Sequence, residues 1–178
     1  PYISLTKLKE QSAFFENNSY FTFSKSADLY CLFYERGIHL LKKNGLLTFI
    51  TSNSWIKSIY GELLKAYITQ NTQPISLLNI EDIQIFEEAT VESNIITLKN
   101  NVNSNNLFFV ANLSRNYSTE KSLSEYFDEN CYEFQIPEST EWIISNEADM
   151  NLLKKIEKGS KPLKDFSIQI NFGIKTGL

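Results

Sequence analysis

The chain opens Pro1-Tyr2-Ile3-Ser4-Leu5, and a phenylalanine stands among acidic and polar residues in Ile83-Gln84-Ile85-Phe86-Glu87-Glu88-Ala89. A proline followed by an aromatic, and an aromatic set in a polar loop between two strand-like runs, share one possible chemistry. Flat rings can sandwich an extruded nucleobase, where stacking contributes roughly 1 to 3 kcal/mol per base. The residues alone leave a second reading open, in which Phe86 packs the edge of a sheet and Tyr2 is a terminus without a partner.

Other chemistries find little to work with. A Ser-His-carboxylate or Cys-His set would have to use His39, the single histidine, which stands beside Leu40 and Leu41 in a helical stretch. Cys31 and Cys131 are far apart, in no metal-type or redox-type spacing, and read as two buried free thiols. Glu81-Asp82 and Glu87-Glu88 form no ligand pattern, so no metal is expected. The six glycines are dispersed, and no glycine-rich phosphate loop occurs. Asn53 and Trp55 follow a strand at the end where α/β sheets collect ligands, but they read as turn formation and rim packing rather than ligand contact. Lys57, Lys65 and Lys175 read as solvated surface rather than phosphate contacts.

The net charge of −4 lacks the basic footprint of phosphate binding, although local lysines on one face can serve a groove while the rest stays acidic. No apolar run approaches the ~20 residues that span a bilayer, and no secretion signal opens the chain, so a cytoplasmic protein without a membrane partner is expected. The only methionine is Met150, which predicts that this is a segment of a longer protein.

The elements that must position these residues follow from periodicity. Ala27, Tyr30, Cys31, Tyr34, Ile38 and Leu41 recur at helical spacing between Ser26, a candidate N-cap, and Gly45, a candidate end. Leu46 to Thr51 is short, apolar and partly β-branched, as in a strand buried on both faces of a parallel sheet. Tyr60, Leu63, Leu64, Tyr67 and Ile68 predict a second helix, and Ile75 to Ile80 a second strand. Val91 to Leu98 and Leu107 to Ala111, joined by the asparagine-rich residues 100–106, predict a hairpin. Beyond Asn112 the pattern gives a helix near 119–127, strands at 131–136 and 141–144, and a helix at 147–158. The fold expected is α/β, with a mostly parallel sheet and antiparallel edge strands, followed by a small α+β segment.

In order, these segments resemble the amino-group DNA methyltransferases of restriction-modification systems, the TaqI-like N6-adenine class and the fused type IIG enzymes. Pro1-Tyr2-Ile3 is similar to the second half of that family's tetrapeptide of Asn, Asp or Ser, then Pro, Pro and an aromatic. Ala27 to Glu35, Leu40 to Gly45 leading into Phe49 to Trp55, and Tyr60 to Lys65 resemble later segments. Phe172-Gly173-Ile174-Lys175-Thr176-Gly177 is similar to the Gly-Ile-x-Thr-Gly element at the entrance to the target-recognition region.

The resemblance implies a Rossmann-like S-adenosylmethionine-dependent methyltransferase, with 1–112 the C-terminal part of the catalytic domain and 113–178 a linker and the beginning of the target-recognition region. It implies methyl transfer to adenine N6 in double-stranded DNA with a flipped adenine, Pro1 and Tyr2 as catalytic positions, and Tyr2 and Phe86 on the base. The family's main cofactor motifs precede its tetrapeptide, so no cofactor residue is assigned here and the isolated segment is expected to be inactive. The alternative is a non-catalytic DNA-specificity or scaffold module of the same fold.

Overall fold

Five strands form one sheet among the residues described by the computed structural model, which are 2–81, 83, 92–101, 106–113, 115, 117–118, 120–137, 141–145, 147–161 and 165–166. They are β1 (Leu46–Ser52), β2 (Gln73–Ile80), β3 (Ser93–Lys99), β4 (Leu107–Leu113) and β5 (Tyr132–Gln135), in the order β1-β3-β2-β4-β5. β1 and β2 both run antiparallel to β3, which lies between them; β4 is parallel to β2, and β5 antiparallel to β4. β1, β2 and β4 therefore point the same way, and their C-terminal ends gather at one edge of the sheet.

One face of the sheet is covered by helical segments of the first compact unit, Pro1–Ile144. These are a 3-10 turn at Leu5–Lys7, α1 (Lys9–Asn17), α2 (Tyr30–Leu40), α3 (Ser54–Lys57) and α4 (Gly61–Asn71). Tyr34, Ile38, Leu64 and Ile68 meet Leu77, Ile96, Leu98 and Val110 there, as the 3.6 and 2.0 residue periods require. Trp55 is fully buried, with its ring 6.1 Å from Tyr34 and 5.6 Å from Trp142. Rings of this size are among the largest single contributors to a core. Gly61 lets α4 begin directly against α3, because a Cβ at Gly61 would lie 1.8 Å from the Trp55 carbonyl oxygen. A smaller cluster on the opposite face joins Leu78, Ile80, Ala111 and Leu113 to Tyr126 and Phe127 of α5 (Leu123–Asn130). The second unit, Ser145–Leu178, contains α6 (Glu147–Gly159), whose Leu152 and Ile156 are exposed.

The α/β class and the helices at 61–71 and 147–159 agree with the sequence patterns, and several details differ. The helix expected from Ser26 starts at Tyr30, because residues 26–29 are held by the N-terminal segment: Leu5 N donates to Ala27 O and Leu29 N to Ile3 O, both at 2.9 Å. It ends at Leu40, and the turn that follows is made by Asn44 at φ 63° rather than by Gly45. Among the described residues β1 pairs with β3 alone, antiparallel, and Leu46, Thr48 and Ile50 are exposed because no described helix covers that side of it. β3 and β4 form no hairpin, since β3 inserts between β1 and β2. Residues 141–144 are not a strand; they run irregularly and bury Trp142 in the main core. Cys31 is buried as expected, whereas Cys131 is partly exposed.

Candidate functional site

Tyr2 is positioned by the short antiparallel pairing of residues 3–5 with 27–29, which includes a bridge between Ser4 and Asp28. Its hydroxyl donates to the Ile50 carbonyl at 3.3 Å, near the C-terminal end of β1. Its ring lies 6.1 Å from that of Tyr30, tilted by 58°, and the residue remains 49% exposed. One side of the ring is thus backed by protein while the rest faces solvent. Tyr30 is buried at the start of α2, and its hydroxyl lies 3.1 Å from that of Tyr60. Burial raises the phenols of Tyr2 and Tyr30 above the ordinary tyrosine range, so both rings are neutral at physiological pH. Burial also raises the Asp28 carboxyl, with Lys7 partly offsetting it.

Beside this ring, a polar row crosses four adjacent strands. Thr51 stands opposite Asn94, Asn94 opposite Asn79, and Asn79 opposite Asn112. Each lies two residues from a core position, namely Phe49, Ile96, Leu77 and Val110, so all four share the helix-covered face. Carboxamides are tolerated there because their amino groups are bonded, although Asn94 Oδ1 is buried without a partner. Asn79 Nδ2 donates to Asn112 Oδ1 at 2.9 Å and to Glu81 Oε1 at 3.0 Å, and Asn53 Nδ2 donates to Asn79 Oδ1 at 3.1 Å. Asn94 Nδ2 reaches the carbonyls of Ser52 at 3.0 Å and Thr51 at 3.3 Å. Thr51 Oγ1 also meets the Tyr34 hydroxyl at 2.8 Å.

Acidic groups at the same end are engaged with a cation. Lys57 Nζ lies 2.7 Å from Glu81 Oε1 and 3.9 Å from Glu92 Oε2, exposed pairs of the kind that contribute about 0 to 1 kcal/mol each. Among the described residues, no group of three or more His, Cys, Asp or Glu side chains is disposed to hold a metal. A neighbouring cleft of about 350 Å³ is lined by Lys57, Ser58, Glu62, Lys65, Glu141 and Trp142. Lys65 is buried against it and donates to the Ile56 carbonyl at 3.0 Å. Desolvation pulls its ammonium below the usual lysine range, partly countered by Glu62 and Glu141.

Of the residues singled out from sequence, Tyr2 reaches the C-terminal end of β1, while Pro1, Phe86, Lys175 and residues 172–177 lie outside the described residues. Asn53 and Trp55 serve the turn and the core. Lys57 is exposed, as expected, and ion-paired, whereas Lys65 is buried, which replaces the expectation of a solvated lysine there. His39 is exposed on α2, with its ring 6.2 Å from that of Tyr67. Tyr30, Tyr60 and the asparagine row escape sequence reasoning; an asparagine near the end of each of three apolar strands is the one available signal.

The family model described as Eco57I restriction-modification methylase matches residues 1–86, just under half of the chain. The restriction enzyme and methyltransferase RM.Eco57I of Escherichia coli is 24% identical over 139 residues, covering 78% of this chain and 14% of that protein. The type II methyltransferase M.BstVI of Geobacillus stearothermophilus is 22% identical over 199 residues, covering 99% and 35%. The chain thus spans about a third or less of these relatives' length. In fold it is similar to a nuclease-deletion mutant of the type ISP restriction-modification enzyme LlaGI solved with a DNA substrate mimic, at TM-score 0.54 and 16% identity, covering 84% of this chain and 14% of that one. Sequence and α/β fold together relate the chain to restriction-modification methyltransferases.

Proposed function

We propose that this chain is part of a site-specific DNA methyltransferase of a restriction-modification system, acting on adenine N6 in double-stranded DNA, with 1–112 catalytic and 113–178 leading into the target-recognition region. The observation that carries the reading is the half-exposed Tyr2 ring, backed by Tyr30 and tied to Ile50 at the C-terminal end of β1, where open α/β sheets take ligands. The similarity to RM.Eco57I and M.BstVI supports the reaction class, and the DNA substrate mimic held by LlaGI supports the partner.

In this reading the flipped adenine stacks on Tyr2, and Phe86 touches the base from the side. Adenine N6 is a poor nucleophile because its lone pair is delocalised into the ring. In the family that the chain resembles, the polar first motif residue and the carbonyl of the proline after it accept hydrogen bonds from the amino group, which localises electron density on nitrogen and orients it; Pro1 and Tyr2 hold the next two motif positions. S-adenosylmethionine supplies the electrophilic methyl group. The described polar residues do not fit that cofactor by themselves: Asn53, Asn79, Asn112, Glu81 and Lys57 are bonded to one another. Its binding is therefore assigned to no residue of this chain. The same reading makes the isolated segment inactive and the enzyme cytoplasmic; among the described residues no helix is long and apolar enough to cross a membrane.

The test is S-adenosylmethionine-dependent methyl transfer to DNA by the full-length protein, with N6-methyladenine as the product sought. Tyr2→Ala is expected to lower kcat/KM by about tenfold to a hundredfold, the loss of one base-stacking contact. Full activity of that variant would remove the stacking role. Absence of transfer by the unaltered protein would remove the enzyme reading in favour of a DNA-specificity or scaffold module.

A further inference from the structure

Tyr2 docks near the C-terminal end of β1. Among the described residues β1 pairs with β3 alone. The Ile50 carbonyl that accepts the Tyr2 hydroxyl lies directly before Thr51 and Ser52, where the strand gives way to α3. Both of the following carbonyls are held from the sheet side by one carboxamide. Asn94 of β3 is fully buried, and its Nδ2 donates to Ser52 O at 3.0 Å and Thr51 O at 3.3 Å, with Thr51 Oγ1 at 3.4 Å. From the helix side, Tyr34 meets the same Thr51 hydroxyl at 2.8 Å. The end of β1 is thus gripped between β3 and α2, and that grip sits one residue beyond the atom on which Tyr2 docks.

We propose that Asn94 is a positioning residue for Tyr2: by holding the Thr51 and Ser52 carbonyls it fixes the Ile50 carbonyl, and with it the angle and height of the Tyr2 ring. The role in catalysis rests on the proposed stacking of the target base on Tyr2; the coupling of Asn94 to the ring does not. Asn112 is the natural comparison, because it belongs to the same polar row but bonds to Asn79 rather than to β1, whereas Asn79 also accepts from Asn53 just past the end of β1. A role in general sheet stability belongs to Asn94 and Asn112 alike, whereas a role in placing Tyr2 belongs to Asn94 and not to Asn112.

The ring is read first, independently of activity. With 3-fluorotyrosine at position 2 of the full-length protein, Asn94→Leu is expected to narrow and shift the fluorine resonance toward that of a free tyrosine, while Asn112→Leu leaves it in place. An unchanged resonance in Asn94→Leu, or equal changes in both variants, would overturn the proposal. Should Asn94→Leu fail to fold, Asn94→Asp serves: it keeps the shape but turns the donor that grips the two carbonyls into an acceptor.

Kinetics then tie the coupling to the reaction. Asn94→Leu and Tyr2→Phe, which removes only the docking hydroxyl, are each expected to lower kcat about tenfold with KM for DNA little changed. The double variant should be no slower than either single one, as for two residues acting through one contact. Losses that multiply would overturn the proposal. If the unaltered protein transfers no methyl group while the fluorine response persists, the methyltransferase reading fails and the positioning stands.

Discussion

The hydroxyls of Tyr30 and Tyr60 lie 3.1 Å apart, joining the first residue of α2 to the residue immediately before α4. The pair is asymmetric, since Tyr30 is buried and Tyr60 only partly so. Removing the Tyr60 hydroxyl leaves a buried phenol unpartnered, whereas removing that of Tyr30 leaves one that water can reach. Tyr60→Phe is therefore expected to destabilise the protein by about 1 to 3 kcal/mol, and Tyr30→Phe by less. Urea unfolding of the two variants side by side checks the order.

Gly61 has no room for a side chain. A Cβ there would meet the Trp55 carbonyl oxygen at 1.8 Å, a backbone atom that cannot swing away. Gly61→Ala must push α3 from α4 and disturb the packing of Trp55, at a cost of about 1 to 3 kcal/mol or more. A lowered Tm and a shift in tryptophan fluorescence are the expected signs.

Glu35 is a buried carboxylate on α2 that serves the loop before the helix. Its oxygens accept from Phe21 N at 3.1 Å, Thr22 N at 2.8 Å and Thr22 Oγ1 at 2.9 Å. Glu35→Gln keeps the shape but turns one oxygen into a donor facing donors, and should cost about 1 to 3 kcal/mol. Glu35→Ala leaves the Phe21 and Thr22 amides without this acceptor, while Thr22 Oγ1 keeps the Cys31 carbonyl at 3.1 Å, and should cost more. Limited proteolysis of the loop around 20–22 distinguishes the two variants from the unaltered protein.

Cys31 gives the pH dependence. Burial, with Asp28 as a lesser cause, pushes its thiol up to about 12 from an ordinary value of 9.0. The folded state therefore holds this proton more tightly than the unfolded chain. The resulting stabilisation is complete below about pH 9 and is lost as pH rises towards 12. Unfolding midpoints should fall across that interval, less steeply in Cys31→Ala. At about pH 8 a thiol reagent should label the partly exposed Cys131 and leave Cys31 unmodified.

The parts of the fold written in local spacing were legible from residues alone. Leu64, Tyr67 and Ile68 announce α4, and the Leu46 to Ile50 run announces a strand. The neighbour of that strand is not local information, because its placement depends on pairs such as Ile50 with Ile95. An apolar run looks the same at an edge as in a parallel interior, and a polar stretch looks the same whether or not the strands it joins are paired. The start of α5 was within reach: Ser122 and Glu125 form a reciprocal capping box, and Ser-x-x-Glu marks it in the sequence. At the candidate site, Tyr2 stood out by its neighbour Pro1. Asn94 did not, since a lone asparagine in an apolar strand carries no period.

The row of Thr51, Asn94, Asn79 and Asn112 has a consequence for how the chain finds its fold. β-strands can slide past one another in steps of two residues and still present their apolar side chains to the same face. In the native alignment Asn79 bonds to Asn112 and Asn94 Nδ2 to the Thr51 and Ser52 carbonyls at the end of the core. A two-residue slip of β3 against β1 in one direction would set Asn94 opposite Phe49, burying a carboxamide among hydrocarbon with its hydrogen bonds unmade. The row thus acts as a proofreading mark, penalising misaligned sheets that the apolar residues alone would accept.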